Sequence, residues 1–429
     1  MDTNSLFTDQ LNRQTGDSFR QIILAHCHMA FTGFLIGLFA SSLIAVLRLA
    51  VSATLNLVMF WTAPDHQNIL TIGCWCAFAI AAALATGWLA RNPAIRFGGA
   101  SWIMSSIQSG QPHVFRTILL PKFISTWLVL GSGVSVGSEG PSIQLGAAAA
   151  LGMSKIKAQP ALERRFYILA GCAAGLGGAF SAPFSGLCYV YEVMSEKMSK
   201  QLFAFLMAGS IGIYIGCTQI FGLGVMLPIT GSTMPGLKSL WLLLPLGLFS
   251  GLVGIAYNYL LRLSKRIYSR QHAIPSLFQP LLSFGITAII VPVFPLLSGG
   301  GFDIFHPIEA GSTTLTFLCI FLIAKLLLTA YCYGSAIPAG IMVPVICLGG
   351  VSGSIYADWL ALLGHMEPGL YQACIVMGMA GAFSAAECAP VTAMVLIAEM
   401  TGSWQVCMGL LFTAAIAYVL ARLAKVQHV

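Results

Sequence analysis

Two glycine-rich breaks decide how this chain folds: Gly131-Ser-Gly-Val-Ser-Val-Gly-Ser-Glu-Gly-Pro141 and Tyr333-Gly-Ser-Ala-Ile-Pro-Ala-Gly-Ile-Met-Val-Pro344. Each interrupts apolar sequence and opens a helical run, Ser142–Met153 in the first case and Val345–Tyr356 in the second. Gly137 and Gly340 are 203 positions apart, and so are Pro141 and Pro344. A second pair follows in the same order. Ala182-Pro183 has Glu192 nine residues after its proline, Ala389-Pro390 has Glu399 nine after its own, and the glutamates are 207 apart. Two ordered signatures at nearly the same offset mark an internal duplication, the plan on which many transport proteins place a site between inverted repeats.

The rest of the composition says what solvent this duplication faces. Of 429 residues, 57% are hydrophobic and only 8% charged, against roughly 25% charged in a soluble domain. Mean hydropathy is +0.85. Soluble enzyme, secreted disulfide scaffold and disordered chain are excluded, and an all-α polytopic membrane protein is predicted. Apolar stretches cover about 22–62, 69–90, 117–136, 143–154, 166–194, 202–230, 239–261, 279–297, 314–333, 337–364, 370–399 and 405–421. Some suit a full membrane crossing of about 20 residues, and others are too short. No ten-residue alternation suggests a barrel.

Basic residues gather at Arg13/Arg20, Lys155/Lys157/Arg164/Arg165, Lys197/Lys200, Arg262/Lys265/Arg266/Arg270 and Arg422/Lys425. The positive-inside bias puts these, and both termini, in the cytoplasm of a cell-membrane protein, the inner membrane in a bacterium. Residues 1–25, polar and without the pattern of a cleavable signal, read as a cytoplasmic lead-in. Residues 26–429 read as one transport domain with halves at about 26–230 and 235–429. The net charge of +7 is too dispersed for nucleic acid. The 12 cysteines lie almost wholly in apolar stretches and read as packing residues, since Cys74-Trp75-Cys76 lacks metal-ligand spacing. No metal and no cofactor are expected.

Each break sets a proline where a helix begins, a position that needs no N–H and favours the fixed φ of proline. The helix then starts inside the hydrocarbon layer with free amides and partial positive charge, an end suited to an anion. Two such ends, one per repeat, can face one site. Glu139 stands two residues before Pro141. Ionised, its carboxylate competes with an incoming anion for the amides; protonated, it can leave them free. Glu139 therefore reads as a pH-dependent gate, with simple capping of its own helix as the alternative.

Gly137-Ser-Glu-Gly-Pro141 is similar to the GREGP motif of the CLC family of chloride channels and chloride/proton antiporters. Gly340-Ile-Met-Val-Pro344 resembles its GIFAP motif, and Ser298-Gly-Gly-Gly-Phe302 a loop between them. The two Ala-Pro segments resemble the helices that follow each motif, and Lys122 falls where family members carry a lysine. The resemblance implies tilted, broken helices in an inverted repeat and a homodimer with one anion path per subunit. It also implies that Glu139 is the gating glutamate. The backbone N–H groups of Ile341, Met342 and the neighbours of Glu139, Ser138 and Gly140, would then be the anion donors.

Departures from the pattern accompany it. Gly98 stands where the family has a central serine, with Ser101 as a substitute if the register slips, and the other central ligand, a tyrosine, falls just past Val429. Chloride selectivity is thus open to fluoride or nitrate. Val193 occupies the position of the antiporters' internal glutamate, and Glu196 is a candidate substitute. Glu192 and Glu399 read as structural groups at helix ends, with a proton path through Glu192 as the alternative, and Glu387 and Glu309 as vestibule or loop groups.

The expected function is passage of chloride or a similar anion, channel-like or weakly proton-coupled. Chloride/proton antiport is the alternative. Gly133-Val-Ser135-Val-Gly137 also fits the G-x-S-x-G of serine hydrolases, but the eight histidines form no partner motif. No enzyme activity is expected.

Overall fold

The computed structural model describes residues 19–63, 65, 68–99, 102–103, 116–156, 161–194, 199–234, 236, 241–270, 274–275, 277–365 and 367–426. Among these, the regular structure is helical. The first half holds α1 (Phe19–Thr62), α2 (Ile69–Leu89), α3 (Arg116–Gly131), α4 (Glu139–Ile156), α5 (Ala161–Phe180), α6 (Pro183–Tyr189) and α7 (Lys200–Tyr214). The second holds α8 (Leu243–Arg270), α9 (Pro280–Val293), the short α10 (Phe305–Glu309), α11 (Leu315–Gly334), α12 (Met342–Leu362), α13 (Leu370–Glu387), α14 (Pro390–Thr401) and α15 (Cys407–Leu423). Wider π-turns prolong α6 through Val190–Met194 and α7 through Ile215–Ile220.

Among the described residues, seven helices are long and apolar enough to cross a membrane. α1, with 44 residues, is about 66 Å long at 1.5 Å per residue, twice the ~30 Å hydrocarbon layer. It must tilt strongly or project beyond it. α3, α9 and α14 are apolar but shorter, as the broken pattern of the sequence predicts. Phe31, Phe39, Ile69, Ile289, Val293 and Leu423 lie on the outside of the fold, while Lys122, Lys325 and Glu139 are buried. That inversion suits a lipid solvent around a polar interior.

The repeats pack alike. A methyl group on Gly146 would strike the backbone of Gly171, and one on Gly349 the backbone of Gly378. α4 on α5 and α12 on α13 thus cross by the small-residue contact that brings membrane helices together. The halves are stitched by an antiparallel bridge, Gly137 N to Gly340 O at 3.0 Å and Gly340 N to Gly137 O at 2.7 Å. Equivalent residues bonding each other reciprocally is what a two-fold relation between repeats requires.

Left-handed backbone recurs at matching places: Gly133 (φ 74°) with Ala336 (φ 57°), Gly299 (φ 51°) with Phe97 (φ 53°), and Ser181 (φ 54°) with Cys388 (φ 52°). Four of these six are not glycine and carry a steric cost. Tertiary bonds hold two of them, Ser181 and Phe97. Arg48 Nη1 donates to Ser181 Oγ at 2.6 Å and Gly178 O at 3.1 Å, and Phe97 N donates to Ile337 O at 2.9 Å.

Candidate functional site

α4 begins at Glu139 and α12 at Met342, the same point of each repeat, and the bridge brings these starts together. Glu139 accepts a hydrogen bond through Oε1 from the backbone N–H of Met342. The carboxylate of one repeat thus sits on the N-terminus of the other repeat's helix. Its Oε2 is buried with no partner among the described residues. A methyl group on either Gly137 or Gly340 would overlap this carboxylate, so the bridge glycines make the slot that holds it. A carboxyl side chain occupies an anion-suited amide, and only part of its hydrogen-bonding capacity is met.

Cavities lie on both sides of this slot. The larger, about 380 Å³, touches Glu139, Gly140 and Gly340–Met342, and extends past Gly98, Tyr189, Val193, Tyr333 and Lys265 to Glu387. The smaller, about 260 Å³, touches Gly137, Ser138 and Val343, with Arg48 and Asp303 farther out. They share no lining residue. Gly98 lies against Gly140 and contributes no hydroxyl. Ile341 has its carbonyl held by the Tyr257 hydroxyl at 2.9 Å, which fixes the first turn of α12.

Two buried lysines hold the loops that wall these cavities. Lys122 Nζ on α3 donates to Ile95 O at 2.8 Å and Phe97 O at 2.6 Å. Lys325 Nζ on α11 donates to Leu297 O at 2.9 Å and Gly299 O at 2.6 Å. Lys325 is the repeat counterpart of Lys122, 203 residues on. The sequence reading named only the first, although applying the repeat offset to Lys122 finds the second. Both bring a basic side chain into the buried interior beside the path and spend it on backbone carbonyls.

The glutamates after the Ala-Pro segments have exchanged partners. Ala182 and Ala389, at the N-caps of α6 and α14, offer no side-chain acceptor. Glu399 of the second repeat caps α6 instead, accepting from Phe184 N at 3.0 Å and Ser185 N at 2.8 Å. Glu192 of the first repeat caps α14, accepting from Val391 N at 2.9 Å, Thr392 N at 2.6 Å and Thr392 Oγ1 at 2.6 Å. Both oxygens of each are engaged, which favours their structural reading over a proton path through Glu192.

Glu309 is exposed at the end of α10. Ser101 and Glu196 lie outside the described residues. Ser135, of the G-x-S-x-G pattern, pairs its hydroxyl with that of Thr329 at 2.9 Å, a partner with no basicity to activate it.

Known proteins agree with this arrangement. The chain is 27% identical over 414 residues to an H(+)/Cl(-) exchange transporter, ClcA, of Vibrio cholerae serotype O1 (strain ATCC 39541), covering 93% of this chain and 87% of the relative. ClcA of Salmonella agona is 30% identical over 378 residues, covering 83% and 77%. A slow cyanobacterial Cl-/H+ antiporter of known structure superposes with TM-score 0.84 at 25% identity, covering 93% of this chain and 95% of that one. A CLC-type fluoride/proton antiporter shares the fold with TM-score 0.76 at 19% identity, over 95% and 97%. The model of the voltage gated chloride channel family matches residues 78–422. With its matched breaks, its bridged repeats and a family match over most of its length, the chain belongs to the CLC family of membrane anion-transport proteins.

Proposed function

We propose that this protein exchanges a small anion, chloride foremost, for protons across the membrane, with Glu139 as the movable lid. The observation that carries this is the Glu139 carboxylate on the Met342 amide. A protein anion held at a helix start marks where a free anion can bind once the lid is protonated and withdraws. In this reading the amides of Ile341 and Met342 are the donors, Ser138 and Gly140 border the lid on its two sides, and Gly98 forms the wall. The channel-like reading drawn from Val193 yields to its alternative. Relatives similar in sequence are named H(+)/Cl(-) exchange transporters, and a solved structure on which the chain superposes is a Cl-/H+ antiporter.

The larger cavity opens beside Lys265, on the helix that also carries Arg262, Arg266 and Arg270, so we assign it to the cytoplasmic side, with the termini. Assembly as a homodimer belongs to the same proposal.

The test uses purified protein in chloride-loaded liposomes with a potassium ionophore, recording chloride efflux and external pH together. Efflux accompanied by proton uptake in a fixed ratio is expected. Efflux without any pH change would refute exchange and restore the passive channel.

A further inference from the structure

We infer that Glu387 is the carboxylate that hands protons to Glu139 through the larger cavity, an inference that rests on the exchange reading above. Glu387 closes α13. It is 6% exposed and lines the same cavity as Glu139. Its carboxylate makes no hydrogen bond among the described residues, whereas Glu192 and Glu399 have both oxygens engaged. The residue's place is fixed all the same, because Asn258 Nδ2 on α8 donates to Ala386 O at 2.6 Å.

A buried, unpaired carboxylate on the wall of an anion cavity is costly and repels the substrate while it is charged. Its presence is intelligible if it is charged only part of the time. Several titratable or charged groups face it from the packed elements. These are Glu139 on α4, Tyr189 on α6, Tyr257 and Lys265 on α8, Tyr333 on α11 and Arg96 on the adjoining loop. Cys388 is its chain neighbour, and Arg422 on α15 acts on that thiol.

Tyr189 and Tyr333 lie within electrostatic reach of both carboxyl groups, and their hydroxyls make no hydrogen bond among the described residues. A hydroxyl both donates and accepts, so these two, with water in the cavity, give a proton stepping points. Val193, at the position where the antiporters carry their internal glutamate, borders the same cavity without a titratable group.

The transfer is balanced. A proton leaves a Glu387 carboxyl oxygen, one arrives on a Glu139 carboxylate oxygen, and the summed charge of the pair is unchanged. Glu387 then takes its next proton from the aqueous end. Glu139, now neutral, releases the Met342 amide to the anion.

Glu387→Gln is measured beside the wild type in the liposome assay. Proton uptake per chloride released falls at least tenfold in the variant while chloride efflux continues, and Glu387→Asp keeps at least half the wild-type ratio. Glu387→Met, neutral and of similar volume, gives the same reading should the glutamine variant not be recovered as a monodisperse protein. A wild-type ratio in either neutral variant overturns the role of Glu387 and leaves exchange standing. Loss of the ratio in Glu192→Gln with full retention in Glu387→Gln overturns it too, and moves the relay to Glu192. A wild type that takes up no protons removes the exchange reading itself, and this inference with it.

Discussion

Replacing Glu139 with glutamine changes one atom type at the centre of the path and tests the lid directly. With Glu139 ionised, the bond from Met342 N to its Oε1 is charge-assisted. Hydrogen bonds to charged groups contribute about 1.5–3 kcal/mol and neutral ones about 0.5–1.5 kcal/mol. A glutamine oxygen can still accept from the same amide, but about 1–1.5 kcal/mol more weakly. An anion competing for that amide gains the difference, which is about tenfold in affinity.

The sign of the pH effect follows from the same bond. Acid neutralises the wild-type lid and frees the amide, so wild-type chloride flux rises as pH falls. Glutamine has no proton to gain or lose, so most of the pH dependence of flux is lost and proton uptake is absent. Chloride binding is read by titration calorimetry in detergent, and flux by a chloride electrode at a series of pH values. A Glu139→Gln protein with the wild-type pH profile and unchanged chloride affinity would refute both the lid and the competition behind it.

The exchanged caps predict unequal costs. Glu399→Ala strands two amides beneath a residue only 9% exposed, a loss of roughly 2–6 kcal/mol at 1–3 kcal/mol per unsatisfied group. Glu192→Ala, at a half-exposed site, costs less because water reaches the freed groups. Thermal midpoints in detergent rank the two, and the reverse order would contradict the assignment. Lys325→Met leaves the carbonyls of Leu297 and Gly299 without their donor, a loss of about 2–6 kcal/mol. Lys122→Met should match it within the error of the same melting assay. A neutral effect of one beside a severe effect of the other would break their equivalence.

The sequence made the breaks, the duplication and Glu139 readable because glycine and proline act locally and leave their mark at fixed spacing. The prolines, the offset of 203 and the acidic residue before the first helix pointed to two helix starts facing one site, and the fold brings those starts together at the bridge of Gly137 with Gly340, with the Glu139 carboxyl between them. What stayed hidden depends on partners far apart in the chain. The spacing from Pro183 to Glu192 and from Pro390 to Glu399 was visible, but not that each glutamate serves the opposite repeat. Left-handed backbone at Phe97, Ser181, Ala336 and Cys388 has no local signature, since none of these residue types favours it and, at Phe97 and Ser181, bonds to distant residues hold it. Glu387 looked no different from Glu309 in sequence. Only the fold puts the first in a cavity with the lid and leaves the second on the surface.

The swapped glutamates also bear on how the molecule is made. The amides at the start of α6 wait, as the polypeptide emerges, for a carboxylate 215 positions downstream. The leading half therefore enters the bilayer with a raw helix end that nothing yet synthesised can satisfy. It is completed only when its twin arrives, because the carboxylate that caps α6 belongs to residue 399.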